Sequence, residues 1–143
     1  HVVVETCGYS PFFKEALPYI DLLYFDVKHP DACRHLEMTG KDNQLILENL
    51  KYAVNQGKEM VVRIPVIPEF NDRREDWSSY GALLKRTGVT KAHLLPFHQL
   101  GLGKYRNMDR EYEYEEYPSM EKDSLDQMKE ELEGMGIGTQ IGG

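Results

Sequence analysis

The chain has little cysteine, no excess of positive charge and no long apolar run, and each absence excludes a class of protein. Its two cysteines, Cys7 and Cys33, form no closely spaced pair, so they cannot by themselves hold zinc or an iron–sulfur cluster. Without an export signal, we interpret them as free thiols of a cytoplasmic protein. A formal net charge of −7 argues against a nucleic-acid partner. No apolar run approaches the roughly 20 residues of a membrane span, so we expect no membrane association.

The length and composition are typical of one globular domain covering residues 1–143. Hydrophobic residues make up 41% of the chain and charged residues 29%, which is an ordinary balance. The chain begins at His1, without Met, and a run of valines follows at once. We therefore expect it to be a piece of a longer protein whose missing part lies upstream.

Three apolar runs are separated by nearly equal intervals, and a polar residue follows each of them. Asp26 follows the first run, Arg63 the second and His98 the third. Each interval has room for a strand, a helix and two short loops, which is the βαβ unit of a parallel sheet. Both faces of such sheets are usually buried, and ligands bind at the carboxyl ends of the strands. The polar residues at this edge are therefore the main functional signal.

The remaining patterns extend this prediction to a βαβαβαβ-loop-αβ order. Asn43 and Asn71-Asp72 are the predicted N-caps of two of the helices, and residues 99–120 are a predicted long irregular loop. Strands are predicted over 2–5, 21–27, 60–67, 92–97 and 138–141, and helices over 10–18, 31–38, 43–57, 71–86 and 124–135.

Several candidate site residues lie at the predicted carboxyl edge. Asp26 and Lys28 point to the same face of a strand because they are two positions apart; they can pair with each other or bind a zwitterion. Arg63 needs an anionic or carbonyl partner if it is buried. His98 and Glu5-Thr6 end two further strands. Each residue taken alone also has a purely structural explanation, such as a buried ion pair, but the convergence of four strands favours one shared site.

Eight short motifs follow one another along essentially the whole chain. They are VVVETCG (2–8), LYFDVK (23–28), TG (39–40), LILENL (45–50), VRIPVIP (62–68), ND (71–72), LLPFH (94–98) and LGxxKY (100–105). In this order and spacing they resemble the carboxyl-terminal part of the activating enzymes of glycyl-radical enzymes, the pyruvate formate-lyase activating enzyme family.

This resemblance implies the carboxyl-terminal part of a partial (β/α)6 barrel of the radical S-adenosylmethionine class, with the first three strands upstream. In that family a [4Fe-4S] cluster cleaves S-adenosylmethionine, and the resulting radical removes a hydrogen atom from a backbone glycine of the partner. The cluster cysteines would lie upstream of His1, so this fragment alone should be inactive. The implied partners are a formate-lyase-like glycyl-radical enzyme and an electron donor such as flavodoxin or ferredoxin.

The resemblance also implies roles for individual residues. Asp26 and Lys28 match a D-x-K motif beside the methionyl and ribose end of adenosylmethionine. Arg63 matches an arginine of the same pocket, and His98 a histidine that reaches the adenine. Glu5-Thr6 matches an Asp-Thr pair that supports a monovalent cation together with Asp26.

Two expectations concern contacts with other chains. Lys104 and Tyr105 occupy positions where the resemblance places residues that face the partner's peptide. The sheet edge left by the missing strands is apolar, and such an edge can make a fragment self-associate.

Two other functions are compatible with the residues. One is a complete small (β/α)-type lyase or aldolase that uses Lys28 and Asp26 for Schiff-base or proton-transfer chemistry, which needs a Lys pKa lowered by burial. The other is a non-catalytic binding domain.

Overall fold

Five strands alternate with helices along the chain, as the sequence patterns predict. The computed structural model describes residues 1–99, 107–108 and 114–143. Short 3-10 turns at Leu17–Tyr19 and Lys122–Leu125 extend two of the connections. The elements are β1 (Val3–Thr6), α1 (Phe13–Ala16), β2 (Leu22–Asp26), α2 (Ala32–Thr39), α3 (Gln44–Asn55), β3 (Met60–Val66), α4 (Arg74–Thr87), β4 (Lys91–Pro96), α5 (Asp126–Gly134) and β5 (Gly138–Ile141).

The five strands form one parallel sheet in the order β1-β2-β3-β4-β5. Helical connections between successive parallel neighbours are the arrangement from which (β/α) barrels are built. The predicted α/β class and the open, incomplete barrel are therefore confirmed. In the register, Asp26 pairs with Arg63 and Arg63 pairs with His93, so three polar residues lie side by side across three strands.

Among the described elements, helices α1, α3, α4 and α5 pack against one face of the sheet. In β3, Val62, Ile64 and Val66 are fully buried and belong to the same core as side chains of α1, α3, α4 and α5, whereas Arg63 and Pro65 between them are only partly buried. On the same side of β3 as Arg63, Val61 is buried as well, at 9% exposed, so this second face is more exposed than the core face but is covered in part. We call the face opposite the helical core the open face. It corresponds to the lumen side of a barrel, and it carries polar groups.

Asn43 occupies the N-cap position of α3, as predicted, but its side chain does not cap the helix. Its amide instead donates to the carbonyls of His29 and Pro30, both at 2.9 Å. Asp42 accepts the N–H of Gln44 at 2.9 Å in its place. Asn43 is almost fully buried, so its amide supplies the partners that the buried carbonyls of the β2–α2 loop need.

The predicted cap of α4 was wrong. The helix begins at Arg74, two residues beyond Asn71-Asp72. Asn71 Oδ1 accepts the N–H of Ile67 at 2.7 Å, and Asp72 Oδ1 accepts the N–H of Glu69 at 3.0 Å. Both side chains therefore stabilise the turn after β3 instead of the helix, which is a common use of Asn and Asp.

The strand at one edge of the sheet is short and apolar. Val2 and Val3 are about half exposed there, at 48% and 49%. Self-association through this edge stays a prediction. In the part of the chain that the structure describes, no helix has the length and apolar character needed to cross a bilayer.

We predict that Gly8 is required for the loop after β1. Its φ of +68° is in the left-handed region, and an added Cβ would lie 2.6 Å from the ring of Phe25, which is fully buried. Gly8→Ala should therefore lower the free energy of unfolding in urea by roughly 3 kcal/mol through backbone strain and overpacking together.

Gly40→Ala is the matched control for this prediction. Gly40 has a similar φ of +73°, but nothing lies within 4 Å of an added Cβ. Only the backbone strain remains, so the expected loss is roughly 1 kcal/mol. Equal losses for the two variants would show that the contact with Phe25 does not matter.

Candidate functional site

The open face carries one cluster of polar and aromatic side chains. Glu5 comes from β1, Tyr24 and Asp26 from β2, Arg63 from β3 and His93 from β4. They share a face because side chains alternate along each strand and the parallel register aligns them. We call these five residues the open-face cluster.

Arg63 lies at the centre of this cluster. Its Nε donates to Asp26 Oδ1 at 2.8 Å, and its Nη1 lies 2.9 Å from Glu5 Oε2. The guanidinium carbon lies 5.5 Å from the centroid of the Tyr24 ring, within the range of a cation–π contact. Burial disfavours the charge of Arg63, but hydrogen bonds and charges from Asp26 and Glu5 together raise its pKa. Arg63 is therefore a firmly held cation.

His93 is the unsatisfied member of the cluster. Its ring lies 6.1 Å from that of Tyr24, and its Nδ1 is buried without a hydrogen-bond partner among the described residues. Burial, and then the charge of Arg63, lower the pKa of His93. A neutral imidazole with an unused ring nitrogen can donate to or accept from a polar ligand.

The other predicted site residues lie apart from this cluster. Thr6 belongs to the opposite pleat from Glu5, and its hydroxyl accepts the N–H of Gly8 at 3.0 Å. Lys28 and His98 are both exposed beyond the ends of their strands. Lys104 and Tyr105, the predicted contacts with a partner peptide, lie outside the described residues.

Lys28 borders a separate small cavity at the carboxyl edge. The cavity has a volume of about 150 Å³. Asp26, which the sequence allowed to pair with Lys28, pairs with Arg63 instead. The residues that line the cavity are Cys7, Tyr9, Lys28, His35, Thr39, Lys41 and Ile46.

A buried network lies behind the β2–α2 loop. His29 Nδ1 accepts the N–H of Asp31 at 3.0 Å, so in the neutral ring the proton is on Nε2, which lies 3.3 Å from Asp76 Oδ1. Arg34 donates to the same carboxylate at 3.0 Å and to the carbonyl of Phe70. Burial is the largest effect on His29 and lowers its pKa, although Asp76 opposes this.

A metal site is not evident in the described part of the chain. No group of three or more His, Cys, Asp or Glu side chains there could hold a metal ion. Glu5 and Asp26 are near each other, but the guanidinium of Arg63 binds both carboxylates. The cation site stays a prediction, and it requires Arg63 to release at least one of them.

A larger surface cavity lies elsewhere and shares no residue with the open-face cluster. It has a volume of about 620 Å³ and is bordered by α4 and α5. Its lining residues are Arg74, Trp77, Gln127, Glu130 and Glu131.

Sequence reasoning missed Tyr24, His93 and the network of His29 and Asp76. His93 lies within the predicted strand over 92–97, in which the sequence predicts no site residue. Because His93 follows buried Ala92 and side chains alternate along a strand, it points to the open face. That alternation was an available signal. Nothing in the sequence signals the pairing of His29 with Asp76, because 47 positions separate them.

The chain is similar to curated activating enzymes. It is 44% identical to the isethionate sulfite-lyase activating enzyme of Nitratidesulfovibrio vulgaris over 78% of this chain and 37% of that protein. It is 33% identical to two proteins of Clostridioides difficile. These are the 4-hydroxyphenylacetate decarboxylase activating enzyme, over 99% of this chain and 46% of that protein, and the trans-4-hydroxy-L-proline dehydratase activating enzyme, over 100% and 49%. No family model matches the chain.

Solved structures with the same fold include two of the radical S-adenosylmethionine class. A domain of a pyruvate-formate lyase-activating enzyme from Bacteroides vulgatus superposes with a TM-score of 0.78 at 21% identity, over 100% of this chain and 81% of that one. A radical SAM methyltransferase from Sphaerobacter thermophilus superposes with a TM-score of 0.73 at 13% identity, over 98% and 39%. At these identities the likeness shows the fold.

The parallel sheet with helices on one face is an open, incomplete (β/α) barrel, the fold that these two solved structures share. The curated relatives specify the family: the chain belongs to the activating enzymes of glycyl-radical enzymes and matches their carboxyl-terminal portion. It spans less than half the length of the curated relatives described above.

We predict that His29 makes the fold sensitive to mild acid. Its pKa in the folded protein lies below the ordinary value of 6.5, so below about pH 6.5 the unfolded chain takes up a proton that the folded chain resists. The free energy of unfolding should therefore fall between pH 7 and pH 5, by at most about 1.4 kcal/mol per pH unit from this group. Urea unfolding at several pH values measures the slope.

The variant His29→Gln tests this assignment. A glutamine amide can still donate to Asp76 but does not titrate, so the slope should flatten. His93→Gln should remove a separate part of the slope because the pKa of His93 is lowered too. An unchanged slope in His29→Gln would mean that His29 is not the titrating group.

Proposed function

We propose that the full-length protein is a radical S-adenosylmethionine enzyme that activates a formate-lyase-like glycyl-radical enzyme by removing a hydrogen atom from a backbone glycine. The names of the curated relatives support this activity, because each is an activating enzyme. We place the protein in the cytoplasm, consistent with two free cysteines in the structure.

One observation carries the proposal: a paired guanidinium lies on the open face with a carboxylate on either side. Adenosylmethionine has a carboxylate, an ammonium group, ribose hydroxyls and an aromatic base. Arg63 can bind the carboxylate, Glu5 and Asp26 can accept hydrogen bonds from ammonium or hydroxyl groups, and Tyr24 offers a stacking surface. The unpartnered Nδ1 of His93 adds a further polar contact. The residues present therefore fit this cofactor.

In this proposal Lys28 and His98 approach the ligand from beyond the strand ends. Both are exposed, so their side chains are free to reorient toward it. Lys28 binds near the methionyl and ribose end and His98 near the adenine. Thr6, whose side chain lies on the other pleat, contributes through the backbone of β1 beside Glu5.

In this proposal the [4Fe-4S] cluster needs ligands from outside this chain. Cys7 and Cys33 are two cysteines where a [4Fe-4S] cluster needs three or four ligands. When bound, the cluster and adenosylmethionine supply the one-electron chemistry that removes the hydrogen atom. The residues of this chain hold and orient the ligand and shield its charged end from water.

The proposed partners are two proteins. The glycyl-radical enzyme presents its glycine loop at the mouth of the site, where Lys104 and Tyr105 are the proposed peptide contacts. Flavodoxin or ferredoxin is the proposed electron donor.

A Schiff-base enzyme fits the geometry less well. Such chemistry needs a lysine whose pKa is lowered by burial, whereas Lys28 is exposed. Its proposed carboxylate partner, Asp26, is held by Arg63 at 2.8 Å. A non-catalytic binding domain would leave the charges of the open-face cluster without a purpose beyond folding.

We predict that Lys28→Ala and Arg63→Ala each weaken adenosylmethionine binding in the full-length protein by about 1–3 kcal/mol, the scale of one lost charge-assisted hydrogen bond. Isothermal titration calorimetry measures the affinity directly. Lys51→Ala is the matched control, because Lys51 is an exposed lysine on α3, and it should bind as the native protein does.

Arg63→Ala leaves Glu5 and Asp26 without their cation and can therefore also lower the stability of the fold. The thermal unfolding temperature of each variant shows whether a loss of affinity comes from binding or from folding. Unchanged affinity in both Lys28→Ala and Arg63→Ala would show that these are structural ion-pair residues and that the proposed site is wrong.

A further inference from the structure

The main chain of Lys28 is held by two buried side chains from a distant part of the sequence. The Tyr80 hydroxyl donates to the Lys28 carbonyl at 2.5 Å, and Asn71 Nδ2 donates to the same oxygen at 3.1 Å. Tyr80 and Asn71 are both fully buried, whereas the Lys28 side chain is exposed. The backbone of Lys28 is therefore fixed although its side chain is not.

These contacts take the place of backbone hydrogen bonds between the end of β2 and β3, which stop at Val27. Val27 is the last residue of this segment to donate to β3, through its N–H to the carbonyl of Arg63 at 2.9 Å. Pro65 has no N–H to give to β2, and Asn71 Nδ2 donates to the carbonyl of Pro65 at 2.8 Å. The side-chain amide of Asn71 thus links the carbonyl of Lys28 to the carbonyl of Pro65.

The residue after Lys28 is fixed as well. The His29 ring is 2% exposed and contacts Phe70 and Tyr80 with centroid distances of 5.3 and 6.0 Å. Its two ring nitrogens are occupied by Asp31 and Asp76. The peptide that joins Lys28 to His29 therefore has little freedom to rotate.

We propose that Asn71 and Tyr80 are positioning residues that set where the Lys28 side chain leaves the main chain, and so raise the affinity for the ligand that Lys28 binds. Ordering the main chain before binding reduces the entropy lost when a long lysine side chain contacts its ligand. This inference rests on the proposed binding of adenosylmethionine by Lys28 but assigns new roles to two residues that do not touch the ligand.

A double-mutant cycle in the full-length protein tests the inference. Tyr80→Phe removes the hydroxyl and keeps the ring. It should weaken adenosylmethionine binding about three- to tenfold in calorimetry, the scale of one lost hydrogen bond. In a Lys28→Ala background the same change should have no further effect on affinity, because the two residues act as one unit.

Two further variants complete the design. Tyr52→Phe removes a tyrosine hydroxyl elsewhere, on α3, and should leave the affinity unchanged. Asn71→Ser removes both amide donors together with the Oδ1 that accepts the Ile67 N–H. It should show the same non-additivity with Lys28→Ala, which the loss of that turn contact alone would not produce, so the test still holds if Tyr80→Phe does not fold.

The possible outcomes separate the two proposals. If Lys28→Ala binds normally while Arg63→Ala binds weakly, the ligand site stands and the positioning role is overturned, because Lys28 does not hold the ligand. If both variants bind normally, the proposed ligand site fails and the positioning role fails with it. If Lys28→Ala binds weakly and Tyr80→Phe binds normally, only the positioning role is overturned. Equal weakening by Tyr80→Phe in both backgrounds also overturns it, because the hydroxyl then acts on the fold independently of Lys28.

Discussion

A guanidinium group that is only 17% exposed on the open face of a sheet must keep its counter-charges in contact, and this requirement links three strands. Parallel pairing places Asp26 of β2 opposite Arg63 of β3. Glu5 lies one strand further away, on β1, so the Arg63 side chain has to cross β2 to reach it. Tyr24, the register partner of Glu5, provides the surface over which it crosses. The network therefore depends on the strand order as much as on the residues.

Asp26 and Lys28 look equivalent in the sequence, but the ion-pair network includes only Asp26. Asp26 and Lys28 are two positions apart, but Asp26 is within the paired strand and Lys28 is beyond its end. Asp26 consequently joins the ion pairs of the sheet, while Lys28 is placed by groups on the β3–α4 segment. A charge inside a parallel strand is held by its neighbouring strands, and a charge just after the strand depends on loop contacts.

Most of the fold could be predicted from the sequence, because strands and helices leave periodic patterns. The strand over 60–67 differs from the observed Met60–Val66 by one residue, and Gly40 and Gly88 end helices in the left-handed conformation expected of them. At the two predicted N-caps, the asparagine side chains do not cap a helix, although Asn43 does occupy the N-cap position of α3. Asn43 and Asn71 are buried and donate to the loop carbonyls of His29 and Lys28, and the need for such partners arises only in the folded structure.

The sequence identified the acidic and basic residues of the candidate site, but it did not indicate which of them pair with each other. The position of Arg63 in a strand of β-branched residues indicated a charge that needs a partner, and the register then supplied Asp26. The distant contacts of Tyr80 and Asn71 with Lys28 span 52 and 43 positions. No local pattern encodes contacts of that kind, because they depend on where α4 docks against the sheet.

The alternation along β3 indicates what the open face can accommodate. Strands buried on both faces of a parallel sheet read as continuous apolar runs, but β3 inserts Arg63 and Pro65 between fully buried Val62, Ile64 and Val66. A second hydrophobic layer over this face would remove water from Arg63 and Glu5 without replacing the hydrogen bonds that this water makes. A polar, charged ligand can replace them. The charged residues of the open face are therefore matched better by water or by a polar ligand than by a second hydrophobic layer, and this preference follows from the cost of desolvation.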